Sequence, residues 1–161
     1  MQIRETVGAL LVEAKVESHA LTRDDLEDVH TLVAPELEKK RLVMHWDNRI
    51  EDCVALPSTR LRQVLINLLL NAAQAANPGG YVSCSVRIEA GRLIAEIAND
   101  GKPLSPAQLE HLFEPFISET GTGLGLWVVY QIIQQLGGDI RVSNGPPLTR
   151  FEVRIPLNAQ P

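Results

Sequence analysis

The chain has 161 residues, of which 45% are hydrophobic and 22% charged, and its formal net charge is −5. This suits one ordinary soluble domain with one good core, and the acidic balance argues against a broad nucleic-acid surface. No apolar run approaches the length of a bilayer-spanning helix, so no membrane contact is expected from this segment, and the amphipathic N-terminus lacks a cleavage pattern.

Residues 2–18 read as a helix in which Ile3, Val7, Leu10 and Ala14 alternate four and three apart, a coiled-coil-like spacing. A lone stripe of this length is not stable by itself. It is either the end of a longer helix or an amphipathic helix lying on this domain's own core. Thr22-Arg23-Asp24-Asp25 is a capping-box-like start with aspartate in place of glutamate. Leu26, Val29, Val33 and Leu37 follow on one face, and Pro35 inside that pattern is expected to kink or split the helix. Residues 42–46 and 53–56 read as short strands. Cys53 and Cys84 lack CxxC spacing and fall in strand-like segments, so both are expected to be small buried residues in a reducing compartment.

Pro57-Ser58 opens a helix running to about Ala76, which Asn77-Pro78-Gly79-Gly80 stops. It carries a basic pair, Arg60 and Arg62, which is too small to track a phosphate backbone. Residues 81–89 and 93–98 read as a hairpin around Ala90-Gly91, and 106–112 as a short helix. A helix over 124–136 ends at Gly137-Gly138. Strands at 140–143 and 150–156 flank the turn Asn144-Gly145-Pro146-Pro147. Interspersed helices and strands, with antiparallel hairpins in the C-terminal half, give a two-layer α/β sandwich: one mixed sheet with helices on one face.

Three pieces carry candidate chemistry. In the 57–76 helix, Leu61, Val64, Leu65, Leu68, Leu69 and Ala72 form a wide apolar face. Ile66 and Leu70 make the rest nearly as apolar, so the helix is expected to be largely covered. Asn67 and Asn71 sit four apart on one side of it. An amide buried without partners costs about 1–3 kcal/mol, so each must bond nearby backbone or turn its carbonyl oxygen to a cation in a cleft. Gly121-Thr122-Gly123-Leu124-Gly125-Leu126 runs straight into the next helix. A helix N-terminus offers unpaired amides and partial positive charge to a phosphate, and glycines let the backbone come close. The spacing is neither a P-loop nor a dinucleotide fingerprint, and a plain turn is the other reading. Asn99-Asp100-Gly101, at a strand end, is either a simple turn or a polar rim able to read a base edge.

In this order the pieces resemble the ATP-binding catalytic domain of sensor histidine kinases, in the superfamily that includes gyrase, Hsp90 and MutL. The resemblance covers roughly residues 22–157. Residues 61–73 match the N-box, and Asn99-Asp100-Gly101-Lys102-Pro103-Leu104 the first glycine box. Leu112-Phe113-Glu114-Pro115-Phe116 matches the F-box, and Gly121 to Leu126 the second glycine box. Thr149 falls where the family places a threonine near adenine. The Asn-Ala-Ala-Gln-Ala wording that begins at Asn71 is similar to the nitrogen-regulatory subgroup.

The resemblance implies a Bergerat fold over residues 21–161, with residues 1–20 as the C-terminal remnant of a dimerisation and phosphoacceptor helix. It implies ATP and Mg²⁺ as cofactors. Asn71 would coordinate the metal, Asn67 would support it and the phosphate end, and Asn99 would bond the adenine amino group. Gly101 would let adenine pack on the backbone. Gly121, Gly123 and Gly125, with Thr122, Leu124 and Leu126, would cradle the phosphates. Phe113 and Phe116 would brace a lid, and Leu104 and Thr149 complete the ATP-binding set. The implied partners are the dimerisation/histidine phosphotransfer domain of the same protein and a response regulator receiver domain. The implied location is cytoplasmic, in a parent that can be anchored in the inner membrane.

The sequence departs from the family's pattern in several places. Asn99 stands where aspartate is usual, Pro103 replaces a glycine, and only Ile117-Ser118-Glu119-Thr120 separates the F-box from Gly121, without the lysine common there. Nucleotide affinity is therefore expected to be modest and strongly Mg²⁺-dependent. His19, His30, His45 and His111 are none of them followed by an acidic residue, so the chain is expected to bind ATP without labelling itself. Asn67 stands where hydrolysing relatives carry glutamate, which favours a kinase over an efficient ATPase. An anti-sigma-type serine kinase and a degenerate nucleotide-binding module are the other readings.

Overall fold

The computed structural model describes residues 19–115, 125–145 and 148–157. The helix expected at 2–18 lies outside them. A two-residue strand that the sequence pattern did not signal, β1 (Ala20–Leu21), leads into helix α1 (Arg23–Lys39). Thr22 and Asp25 close the anticipated capping box: Asp25 N–H donates to Thr22 Oγ1 at 3.1 Å and Thr22 N–H to Asp25 Oδ2 at 2.9 Å. The helix is not split at Pro35. The carbonyl that proline leaves unpaired belongs to Thr31, and both residues are exposed, so solvent can supply its partner.

Strands β2 (Val43–Asn48) and β3 (Val54–Pro57) follow, then helix α2 (Ser58–Ala75). β4 (Tyr81–Glu89) and β5 (Arg92–Asn99) form the expected hairpin, with Ala90 and Gly91 at φ 53 and 76, the paired positive angles of a tight two-residue hairpin turn. Helix α3 (Pro106–Glu110) ends two residues earlier than anticipated. Helix α4 (Gly125–Gln135) precedes β6 (Asp139–Ser143) and β7 (Thr149–Pro156).

Five strands form one sheet in the order β2-β4-β5-β7-β6, while β1 and β3 pair separately. β2 runs parallel to β4 and the other neighbours are antiparallel, so the sheet is mixed, as expected. The register brings apolar residues into rows across it: Cys84, Ile97, Phe151 and Val142 form one, and Val86, Ala95, Val153 and Ile140 the next. That face meets α1, α2 and α4 in one buried core, with α2 between the other two. The opposite face carries Arg87, Glu96, Arg150, Glu152 and Arg154 in ion pairs. One greasy and one charged face explain why the architecture stops at two layers.

One expectation fails at a single residue. Cys84 is buried in β4, and burial, aided by the Asp47 charge, pushes its thiol up to about 12; Cys53 lies outside β3 and is exposed. α2 is largely covered, as expected, with Leu70 open to solvent at 39% exposure.

Candidate nucleotide site

α2 and α4 lie antiparallel, as two contacts show. Arg60, early in α2, donates from Nη1 to Gln135 Oε1 at 2.6 Å at the end of α4. Asn67, midway along α2, donates from Nδ2 to the Gly125 carbonyl at 3.3 Å at the start of α4. The helix that follows the glycine loop therefore begins beside the first of the two asparagines. Asn67 is 7% exposed, and this bond answers its need for a partner. Asn71, one turn further on, is half-buried and makes no side-chain hydrogen bond among the described residues. The two amides thus divide the two roles open to them: one bonds backbone, the other keeps its oxygen available. Gly121, Thr122, Gly123, Leu124 and Phe116 lie outside the described residues. Leu126 packs on the core, and Phe113 stacks on Tyr130 of α4 with ring centroids 5.4 Å apart.

The other end of the site is built on the sheet. β5 ends at Asn99, whose cross-strand partner is Thr149 at the start of β7. Both are on the helix-facing side and both are buried, at 2% and 5% exposure. Asn99 Oδ1 accepts from Gly101 N–H at 2.8 Å, turning the chain away from the sheet. A Cβ at Gly101 would strike the Ala75 carbonyl oxygen. Glycine here lets the turn press against the C-terminal end of α2.

Three contacts clasp the loop after β5. Asn77 donates from Nδ2 to the Asp100 carbonyl at 2.9 Å. Asn144 donates from Nδ2 to the Leu104 carbonyl at 2.6 Å and accepts from Leu104 N–H through Oδ1 at 2.9 Å. Thr149 Oγ1 lies 3.2 Å from the same Asn144 oxygen. Between them opens a cavity of about 280 Å³, lined by Asn77, Asp100, Gly101, Lys102, Pro103, Asn144, Gly145, Leu148 and Thr149. Of the predicted site residues, Gly101 and Thr149 line it. Leu104 is held by its backbone at the rim.

Sequence reasoning missed Asn144, Asn77, Gln63 and Lys40. Asn144 and Asn77 stand in segments that read only as turns. Gln63, one turn before Asn67 on α2, is 4% exposed, and its amide nitrogen has no partner among the described residues. Lys40 Nζ donates to the carbonyls of Ala73, Gln74 and Ala76 at 2.9, 2.9 and 2.6 Å, capping a helix whose own last turn has no basic residue. Nothing in the sequence near α2 signals that cap.

The donor set fits Mg²⁺ in chemistry. Mg²⁺ takes oxygen ligands and keeps several waters, and Asn71 offers a half-buried amide oxygen one turn past Asn67 on α2. Among the described residues no cluster of three His, Cys, Asp or Glu could hold a metal, so such an ion would depend on Asn71 and on phosphate oxygens.

Residues 57–159 match a family described as histidine kinase-, DNA gyrase B-, and HSP90-like ATPase. The sensor histidine kinase ZraS of Escherichia coli strain K12 is 39% identical over 167 residues, covering 98% of this chain and 36% of ZraS. The chain spans about a quarter to a third of the length of the curated relatives it matches. The catalytic domain of histidine kinase ThkA superposes with a TM-score of 0.76 at 29% identity, covering 83% of this chain and 91% of that domain. ThkA in complex with response regulator protein TrrA superposes equally well, at 25% identity, covering 96% of this chain and 47% of that one. Among the described residues, no helix is long and apolar enough to cross a membrane.

Proposed function

The chain belongs to the histidine kinase-, DNA gyrase B- and HSP90-like ATPase family, and from that premise we propose that it is the ATP-binding catalytic domain of a sensor histidine kinase. In this reading it passes the γ-phosphate of ATP to a histidine on a separate dimerisation domain of the same protein. The observation that carries it is the bond from Asn67 to Gly125. That bond fixes the N-terminus of α4, where backbone amides favour anions, against the helix that bears Asn71. A base cavity lies toward the C-terminal end of α2, walled by Gly101, the Thr149 strand end and the loop clasped by Asn144.

The residues divide the work of positioning, which dominates phosphoryl transfer. Thr149, Asn99 and Gly101 hold the base, and Leu104 shapes its rim. Gly121, Thr122, Gly123, Leu124, Gly125 and Leu126 present amides to the phosphates. Asn71 holds Mg²⁺, which when bound offsets phosphate charge, and Asn67 keeps the loop and the metal residue in register. Phe113, stacked on Tyr130, and Phe116 brace the lid. Asn67 offers no carboxylate to activate water, which favours transfer to a protein acceptor over hydrolysis.

The residues before β1 are read as the end of the dimerisation helix, and the catalytic domain as beginning at Ala20 rather than 21, because Ala20 and Leu21 together form the strand that pairs with β3. A response regulator receiver domain is the onward partner, by analogy with the ThkA complex, and the N-box wording supports a nitrogen-regulatory-like subgroup. The domain works in the cytoplasm, in a parent that can be anchored in the inner membrane. The test mixes the purified chain with γ-labelled ATP, Mg²⁺ and the parent's phosphoacceptor hairpin. Label should appear on the hairpin histidine, and none on this chain alone. Failure to bind ATP, or acid-stable label on serine, would overturn the proposal.

A further inference from the structure

We propose that Asn144 is a specificity-determining positioning residue: by fixing the direction of the Thr149 hydroxyl, it makes that wall of the cavity accept a 6-amino purine and reject a 6-oxo purine. The proposal rests on reading the cavity as the base site.

The argument begins with the orientation of one amide. Asn144 grips the Leu104 main chain on both sides, receiving its N–H at Oδ1 and donating Nδ2 to its carbonyl. Flipping the amide would set NH₂ against N–H and oxygen against oxygen, so the backbone dictates which end points where. The atom 3.2 Å from Thr149 Oγ1 is therefore an oxygen without a hydrogen. The only hydrogen available to that contact is the hydroxyl's own, so Thr149 is the donor. A hydroxyl has one hydrogen and two lone pairs. With its hydrogen committed to Asn144, Thr149 presents only lone pairs to a ligand in the cavity it lines.

An exocyclic amine satisfies such a group, whereas a carbonyl at the same place leaves two oxygens facing each other in a buried setting. A site built to pair with one polar group rejects an analogue that cannot pair, because its own buried atoms are left without partners. On the neighbouring strand, Gly101 N–H occupies one lone pair of Asn99 Oδ1, and Asn99 is the cross-strand partner of Thr149.

The test measures binding of ATP and of inosine triphosphate to the 161-residue chain by calorimetry in Mg²⁺. Wild type should prefer ATP by more than about tenfold, the worth of one well-placed buried hydrogen bond. In Asn144→Ala the Thr149 hydroxyl rotates freely and can donate to a 6-oxo group, so the preference should fall about tenfold. Asn144→Asp keeps an oxygen facing Thr149 and should keep the preference, even as it loses the donor to Leu104 and binds both nucleotides more weakly. Thr149→Val, close in shape, should lose the preference as well, and an unchanged preference in that variant overturns the proposal should Asn144→Ala fail to fold. Equal weakening of both nucleotides in Asn144→Ala makes the residue a loop brace only and also overturns it. If wild type binds neither nucleotide, the base-site reading falls and this inference with it. Wild-type binding of ATP with an unaltered ratio in the variants sinks the inference alone.

Discussion

Asn67 and Gly125 lie 58 residues apart in sequence, and the side-chain nitrogen of one meets the carbonyl oxygen of the other at 3.3 Å. That contact joins the two helices that frame the proposed phosphate end of the site. It also separates two asparagines that look equivalent in sequence. Asn67 has a protein partner, and Asn71, four residues on, has none among the described residues.

The difference predicts opposite behaviour on truncation. Asn67→Ala removes a partly buried hydrogen bond and should lower the unfolding free energy by about 1 kcal/mol. Asn71→Ala should leave the unliganded chain within about 0.5 kcal/mol of wild type, while lowering affinity for ATP at least about tenfold in Mg²⁺. In EDTA the Asn71 variant and wild type should bind ATP equally weakly. Urea unfolding and nucleotide titration measure the two effects. An Asn71 variant as unstable as the Asn67 one would mark Asn71 as a structural amide.

Lys40 gives a stability prediction with no reference to ligand. Its ammonium collects three carbonyls at the C-terminus of α2, where the helix dipole also favours positive charge. Hydrogen bonds to charged groups are worth more than neutral ones, but this group is only partly buried. Lys40→Met keeps the apolar stem and removes the charge, and should cost about 1–2 kcal/mol. Because α2 ends against Gly101, the same variant should loosen the base cavity and weaken ATP binding. A melting temperature equal to wild type would remove Lys40 from the cap.

These residues show where the sequence is legible and where it is not. The core of α2 and the rows of the sheet follow from periodicity of 3.6 and 2, which each chain segment carries within itself. Ala90-Gly91 and the Thr22 box are equally local. Asn144 meets Leu104 forty residues away, and Lys40 meets Ala73 thirty-three away. No spacing rule connects such pairs, because the fold brings them together only after sheet and helices are packed. Pro35 shows a related limit: a local rule disfavours it inside a helix, but the freed Thr31 carbonyl lies on the solvent side and the helix continues. Cys53 lies just before β3, because a strand-like pattern says little about where a strand's first residue falls. Among the site residues, Asn67 and Asn71 stand out as a pair by their spacing on α2, and their separate roles come from the family resemblance rather than from that spacing.

The carboxyls of α1 give a pH dependence. Trp46 Nε1 and Asn48 Nδ2 each donate to Glu27 Oε2 at 2.8 Å, and these bonds, Trp46's first, hold the Glu27 carboxyl below its ordinary 4.5. Burial works against the charge on Asp25. The combined donation of Ser58, Thr22 and His19 outweighs it and leaves that carboxyl below 3.8. Each group binds its proton less readily when folded, so its stabilisation is complete above the ordinary value and disappears as pH falls through the lower folded-state value. Stability should therefore be flat near pH 6–7 and fall steeply below about 4.5. Glu27→Gln should lower the plateau and make the acid limb shallower. Trp46 fluorescence during acid titration reports both, and an acid limb of unchanged slope would remove Glu27 from it.

The two thiols should differ sharply in reactivity. Cys53 is exposed, whereas Cys84 sits in the central rows of the sheet with its thiol raised to about 12. At pH 8 only roughly one Cys84 in ten thousand would be the reactive thiolate even if reagent could reach it. A disulfide reagent should therefore titrate one thiol per native chain within minutes and the second only in denaturant. Removing Cys53 as serine should abolish the fast phase and leave stability nearly unchanged. The slow phase should track opening of the sheet, and saturating MgATP should slow it further if nucleotide binds the folded state alone. Equal rates for both thiols in the native chain would mean that the β4 row is not closed over by the helices, which would undo the packing on which the base cavity depends.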